Sequence, residues 1–465
     1  MKSLFLIGLT LSLLAAGPSF AEDSGKLFHA ETFTLSNGLQ VVVIPNHRAP
    51  VVTHMLWVKV GAADEPQGDG VSGAAHFLEH LMFKGSKAIK PGQFSKLVRQ
   101  VGGNDNAFTS WDYTAFFQSV PKEHLGTMMA LEADRMINIA PLEKDVRSEL
   151  SVIIEERRQR TDNDPRALFS EQLRSALFAQ TPYAVPIIGW KDEMPKLEWD
   201  HLHAYYRTWY APNNAILVVS GDITPEEMKP LAEKYYGFLP KKDVPPRIRP
   251  ATPDFPAPIT MTMERDDIRE PSLIKAWRAP SSVQSPQESL ALEILQEALD
   301  GGASTRLYQS FVVQKKLAVG INLSYDGDSL GDGSLWLSVT PAEGVSFSDF
   351  EKAFGDEISS LIETGLSDEE IEEAKTRLFD SSAYARDSVA GPAMIVGQAL
   401  SIGFSLDDIE NWPQEIKDTP PSLVRDVLKK YLSPSAPAHL PVTGYLLPDG
   451  SSSSLCQPSK DEKQK

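Results

Sequence analysis

The sequence predicts an α+β protein of two related domains, each a mostly antiparallel sheet with helices packed on it. Three observations carry that prediction. The chain has 465 residues, more than one compact core usually holds, so two or three domains are expected. Stretches with strand and helix periodicity follow one another in a similar order on either side of a central strap. That strap, 240–258, carries seven prolines (240, 245, 246, 250, 253, 256 and 258), a composition that reads as an extended linker over the surface.

The elements can be justified in order. Thr32 to Ile44 alternates in polarity around Asn37-Gly38, a strong hairpin signal between two strands. Val51 to Val60 reads as a further strand, and Gly61 to Gly70 as a polar loop. A helix follows over Ser72 to Lys84 and is stopped by Gly85. Tyr113 to Val120 is strand-like, 122–139 and 143–160 are helical, Ala215 to Ser220 is a strand, and Pro225 to Tyr236 is a helix. After the strap come strands near Ile259 to Met263 and Leu273 to Trp277, then a helix over Gln287 to Leu299. Alternating strands at Ile321 to Tyr325 and Ser334 to Val339, helices over 346–377 and a last strand near Val442 to Leu447 complete the second half. The expected organisation is a first domain over 22–240, a linker over 241–258, a second domain over 259–450, and a polar, disordered tail over 451–465. The shared order suggests duplication, although residue identity between the halves is slight.

Composition narrows the function classes. With 45 basic and 63 acidic side chains the formal charge is −18, which argues against nucleic-acid binding. Lys2, the apolar run Leu4 to Ala16 and the small residues Ser19 and Ala21 form a secretory signal over 1–21. An exported, periplasmic and soluble protein is therefore expected, since no later stretch is apolar for long enough to span a bilayer. The single cysteine, Cys456, excludes an intrachain disulfide framework and a thiolate zinc site. A metal would have to be held by carboxylates and some of the nine histidines.

The segment Gly73 to His80 contains His-x-x-Glu-His. At about 100° per residue, His80 lies roughly 40° from His76 and Glu79 roughly 60° to its other side. Two imidazoles and a carboxylate share one face, while Leu78 and Met82 point the opposite way into a core. Zinc needs such an arrangement, with two nitrogen ligands on one rigid element and a carboxylate beside the water it activates.

A catalytic zinc usually takes three protein ligands. On the helix around Val146 to Arg160, the residues Val146, Leu150, Val152, Ile153 and Ile154 form an apolar stripe on the helical wheel. Glu149 and Glu156 fall within that side, whereas Glu155 falls with Ser151, Arg158 and Gln159 on the polar side. Carboxylates inside an apolar stripe are costly unless paired or metal-bound, so Glu156 or Glu149 is the expected third ligand. The wheel does not choose between them.

These residues resemble the pitrilysin and insulinase type of metallopeptidase, which includes the mitochondrial processing peptidase and whose signature is the inverted zinc motif. Trp57-Val58 with Gly61, Asn106-Ala107-x-Thr109-x-x-Asp112-x-Thr114, Tyr210 to Asn214, Gly221-Asp222 and Gly301 to Leu307 extend the likeness over the whole mature chain. In that family the third ligand is a glutamate some 76 residues past the second histidine, and 156 − 80 = 76. A supporting glutamate stands seven residues earlier, which is Glu149. The resemblance implies one Zn2+ per chain on His76, His80 and Glu156, with Glu79 as general base. It also implies two domains closing like a clam around a chamber, where peptide lies along an edge strand matched by Asn106 and Ala107. One departure stands out. The family's substrate-contacting arginine and tyrosine, seven residues apart in the second half, align with Val312 and Val319, which donate no hydrogen bond. The chain therefore looks like the zinc-bearing member of a two-chain endopeptidase whose homologous partner carries the Arg/Tyr pair. The alternative is a non-catalytic scaffold or peptide-binding subunit.

Overall fold

The computed structural model describes residues 26–435 and 437–451. The signal segment expected at 1–21, Cys456 and all of the expected tail except Ser451 lie outside these residues. The first sheet comprises β1 (Glu31–Thr34), β2 (Gln40–Pro45), β3 (Val51–Val58), β4 (Asn104–Thr109), β5 (Thr114–Pro121) and β6 (Ala215–Gly221), ordered β1-β2-β6-β3-β5-β4. The second comprises β7 (Ile259–Arg265), β8 (Ser272–Ala279), β9 (Ala318–Asp326), β10 (Gly333–Pro341) and β11 (Val442–Pro448), ordered β7-β11-β8-β10-β9. The α+β class with two mixed sheets is thus as the sequence predicts.

Topology shows the duplication more plainly than residue identity does. Without the β1 hairpin, each half runs first–fifth–second–fourth–third across its sheet. In each, the first strand pairs parallel with the last (β2 with β6, β7 with β11), and every other pairing of those five strands is antiparallel. The β1–β2 turn is built as Asn37-Gly38 suggests. Gly38 takes φ +88°, and the Asn37 amide donates to the carbonyls of Tyr236 (2.8 Å) and Leu239 (3.1 Å), tying the hairpin to the end of its half.

Both faces of each sheet are covered, and one cover is exchanged between halves. In the first half, helices including Leu125–Asn138 and Pro225–Tyr236 bury one face. The other face of β3 and β6 is covered by the second-half helix Gly391–Ser401, whose Ala393, Val396 and Leu400 pack with Val42, Trp57 and Val218. Reciprocally, the first-half helix Pro165–Leu177 sets Phe169, Leu173 and Leu177 against Ala276, Val442 and Leu446 of the second sheet. Neither helix is among the elements expected from the sequence. Close approach explains their composition: a Cβ on Gly397 would come within 2.0 Å of the Trp57 indole, and one on Gly444 within 2.8 Å of Phe169 and Leu173.

The proline-rich strap has no helix or strand, yet it is pinned rather than merely laid over the surface. Its extended backbone alternates, so Arg247 and Arg249 turn inward while Ile248 between them is 73% exposed. Arg247 donates to the carbonyls of Asp112 in the first half and Ser401 in the second, each at 2.8 Å. Arg249 meets the carboxylates of Asp64 and Asp112, both at 2.7 Å.

Candidate active site

The zinc-motif helix, Ala74–Leu81, starts from a constrained entry. Gly73 and Gly189 both take φ +91° and lie back to back: a Cβ on either would stand 2.4 Å from the other strand's carbonyl oxygen, Ile188 O or Ser72 O. Glu65, buried, accepts the N–H groups of Gly73 and Ala75, both at 2.8 Å, and so satisfies donors of the first turn. The Ser72 hydroxyl accepts the N–H of Trp190 at 2.8 Å, and the Gly189 carbonyl accepts from buried Arg157 at 2.7 Å. These contacts fix the rotation of the helix. Phe77, Leu78 and Leu81 then enter the core, with His76, Glu79 and His80 on the side facing the cleft.

Burial raises the Glu65 carboxyl to about 7 against the opposing pull of its backbone donors. The sign for stability follows directly. Between its unfolded value near 4.5 and about 7, the folded chain holds a proton that the unfolded chain has lost, so stability falls as pH rises through this window. Glu65→Gln is expected to flatten that part of the profile, read as a smaller difference in melting temperature between pH 5 and pH 7.5 than in the wild type.

The second contributing helix, Glu143–Arg157, continues as a π-helical turn over Arg158–Asp162. It brings Glu156 to the histidines, with Oε2 3.4 Å from His80 Nε2 and 3.9 Å from His76 Nε2. Glu149 instead reaches the far ring atom, 3.0 Å from His80 Nδ1, and its other oxygen pairs with Lys84. Arg160, on the π turn, holds Glu156 Oε1 at 2.7 Å. Glu79 is buried and accepts the Thr109 hydroxyl at 2.6 Å. Sequence reasoning passed over Glu65, Lys84, Thr109 and Arg160 as parts of the site. Only Thr109 left a signal, as a fixed member of the Asn106-to-Thr114 segment.

The apolar stripe read on the second helix needs correction. Val146 and Ile153 are buried, but Val152 is 50% and Ile154 40% exposed. The helix is a cleft wall, so the side read as a core stripe is divided between core and cavity. Val152 lines the cleft beside Glu156. Glu155 is exposed, as expected, and pairs with Arg158, but it too lines the cleft.

The trio fits a zinc ion. Among the described residues, His76, His80 and Glu156 bring one ligand atom each within 4.8 Å of one another. Ligands at 2.0–2.1 Å around a tetrahedral centre stand about 3.3–3.4 Å apart, close to the spacings seen, and two imidazoles with a carboxylate are a zinc donor set. Electrostatics divide the two rings: His76 is held neutral, whereas His80 must give up a proton to bind a metal. Burial, then His80, lowers His76 to about 4, the neutral form a metal requires. Burial pulls His80 down too, but hydrogen bonds to Glu149 and Glu156 outweigh it and take it up to about 9. Burial raises the Glu79 carboxyl, against the Thr109 hydrogen bond.

His76, Glu79, His80 and Glu156 open onto a cleft of about 1370 Å³. Asn106 and Ala107 line the same cleft from β4, which ends its sheet and, among the described residues, pairs with β5 alone. Val312 packs partly against the second-half core and Val319, on β9, is 61% exposed, and neither lines the cleft. Nearby Arg306 is engaged by Glu370.

Residues 40–191 match the family described as insulinase (peptidase family M16), and residues 196–378 match the peptidase M16 inactive domain. The zinc protease PqqE of Helicobacter pylori is 31% identical over 67% of this chain and 70% of its own. The chain belongs to peptidase family M16. An uncharacterised zinc protease of Mycobacterium leprae is 30% identical over 74% of this chain and 76% of its own. Among solved structures, a protease from Helicobacter pylori superposes with a TM-score of 0.82 at 25% identity, covering 90% of this chain and 99% of that one. The periplasmic protease PqqL of Escherichia coli shares the fold (TM-score 0.76, 20% identity), covering 93% of this chain and 49% of that one. The inactive-type label suits the second half, which has one histidine, His439, and hence no His-x-x-Glu-His.

Proposed function

We propose that the chain is a zinc-dependent endopeptidase, the zinc-bearing member of a two-chain M16 peptidase exported to the periplasm. The observation that carries this reading is the convergence of His76, His80 and Glu156 beside buried Glu79 on an open cleft. His76, His80 and Glu156 would hold one zinc ion, which when bound polarises a peptide carbonyl and acidifies water. Glu79 takes a proton from the attacking water and delivers it to the leaving amine, a role suited to a carboxyl whose pKa burial has raised. Glu149 fixes the His80 ring through Nδ1, leaving Nε2 for the metal. Asn106 and Ala107 present the free edge of β4, on which an extended peptide gains backbone hydrogen bonds without much sequence reading.

The partner chain is inferred from Val312 and Val319, where hydrogen-bonding side chains are missing, and from length. This chain matches 49% of PqqL, a periplasmic protease whose first half has been solved separately. The signal segment at 1–21 supports export. Metal analysis with a peptide-cleavage assay tests the reading: activity should vanish on chelation, return with zinc, and rise with the co-purified partner. A metal-free chain that binds peptide without cutting it would favour the scaffold instead.

The ligand roles make a graded prediction. Glu149→Gln should weaken zinc binding about 10- to 100-fold by removing the charge that orients and polarises the His80 ring. Glu156→Gln should weaken it further, because it removes a direct ligand. Competition titration against a chromophoric chelator reads both.

A further inference from the structure

Of the charged side chains lining the cleft, all but one are already engaged. Glu79 holds Thr109, Glu155 pairs with Arg158, Glu156 meets both histidines and Arg160, and Glu171 pairs with Arg157 at 2.8 Å. The exception is Arg174. Its Nε is sealed from solvent with no hydrogen-bond partner, and among the described residues its guanidinium makes no hydrogen bond or ion pair. The side chain is nonetheless held in place. The guanidinium carbon lies 3.7 Å from the ring centre of Trp111 and 4.8 Å from that of Phe178. Trp111 is itself fixed, its indole N–H donating to the Val185 carbonyl at 2.9 Å.

The placement has a helical cause. On Pro165–Leu177, Phe169, Leu173 and Leu177 bury one face, and Ala167, Ser170, Glu171 and Arg174 form the face that walls the cleft. Asp326 and Asp112 act on Arg174 only through space, and Asp112 is committed to Arg249 and Tyr183. Burial lowers the Arg174 pKa, yet a guanidinium remains charged at any physiological pH. A charged, planar, aromatic-stacked fork with no directly bonded anion is costly to bury and matches a planar or tetrahedral oxyanion bound through two parallel hydrogen bonds, which on a peptide is a carboxylate.

We propose that Arg174 is a specificity-determining residue that binds a substrate carboxylate in the cleft, so that acidic peptides are preferred. The inference rests on the peptidase reading and names the substrate class for that site. The carboxylate has two sources, an aspartate or glutamate side chain or the substrate's C-terminus, and the test separates them.

The probes are versions of one unstructured peptide with amidated ends: a set with a single glutamate walked along it, a glutamine version, and the glutamine version with a free C-terminus. Each is measured twice, as kcat/KM with the zinc-loaded chain and its co-purified partner, and as binding to the zinc-loaded Glu79→Gln chain. The wild type should favour one carboxylate version about 10- to 100-fold, the range expected for a charge-assisted hydrogen-bonded pair. Preference for a walked glutamate assigns the side chain, and preference for the free end assigns the terminus. Arg174→Gln should bring the ratio toward one, and Arg174→Lys should restore part of it. Equal handling of all versions by the wild type, or discrimination that survives in Arg174→Gln, overturns the proposal. If Arg174→Gln does not fold, the wild-type ratio and the Arg174→Lys ratio decide, because an unchanged preference in the lysine variant also overturns it. Absence of cleavage with a clear binding preference would count against the peptidase reading and leave the role of Arg174 intact.

Discussion

Glu79→Gln is expected to leave zinc binding intact and to lower peptide turnover by about 10²–10⁴-fold, the usual weight of a positioned general base. The separation of the two effects is the informative part. Glu79 lies on the same helix face as His76 and His80, but it stands outside the trio whose ligand atoms converge. Its carboxylate is fixed by the Thr109 hydroxyl, an arrangement a glutamine carbonyl reproduces, so the variant keeps the shape of the site and loses only the proton acceptor. Burial raises the Glu79 pKa, and a base must be ionised to act, so wild-type kcat/KM should rise with pH through that raised value before any alkaline limb. Metal content measured beside steady-state kinetics checks the prediction. A Glu79→Gln chain that still turns over peptide at the wild-type rate would remove Glu79 from the mechanism, and one that loses zinc would make it a structural member of the site.

The part of this site that could be read from sequence is the part that depends on helical spacing. Three residues on one helical face follow from a repeat of 3.6, and the choice between Glu149 and Glu156 needed only the distance to the motif in related chains. The structure gives those two glutamates opposite nitrogens of the His80 ring, which no wheel can show. Apart from β4, matched only through the family likeness, the strands were likewise legible, because a half-buried strand alternates and a fully buried one such as β6 reads as a short apolar run. The exchanged helices were not. Gly391, Pro392 and Gly397 in the helix Gly391–Ser401 look like breakers, but the first two sit in its first turn, where no intrahelical N–H is needed, and Gly397 lies directly on Trp57 of the other half. Phe169, Leu173 and Leu177 do make a regular stripe, but they pack on a sheet that begins almost a hundred residues later. Val152 misled for the complementary reason: an apolar side chain facing a cleft has the same sequence signature as one facing a core, and Ile154 is an apolar residue left exposed.

Arg249→Met should destabilise the chain by about 3–5 kcal/mol, the cost of stripping a buried ion pair of one partner. The reading of the strap as surface linker would predict almost nothing, so the experiment discriminates sharply. Arg249 is 6% exposed, and its two acids, Asp64 and Asp112, are 1% and 3% exposed. Burial already raises the Asp64 pKa, with the Arg249 hydrogen bond and charge holding it down. Removing the guanidinium leaves the buried Asp64 carboxylate with less compensation, so its folded pKa climbs further above the unfolded one. The folded variant then holds a proton that the unfolded chain has released, and its stability falls as pH rises through that raised value. The deficit against wild type should therefore be larger at pH 8 than at pH 5, and Asp64→Asn in the Arg249→Met background should recover part of it. The consequence reaches the site through short links. Asp64 accepts the Gly61 N–H at 3.1 Å and adjoins Glu65, whose carboxylate holds the first turn of the zinc-motif helix. A strap that lets go of Asp64 loosens the loop that orients His76, so zinc affinity should drop together with stability. Urea unfolding at both pH values, with zinc titration alongside, tests the chain of contacts. Unchanged unfolding would return the strap to the role of a surface linker, and lost stability with unchanged zinc affinity would cut the link between strap and site.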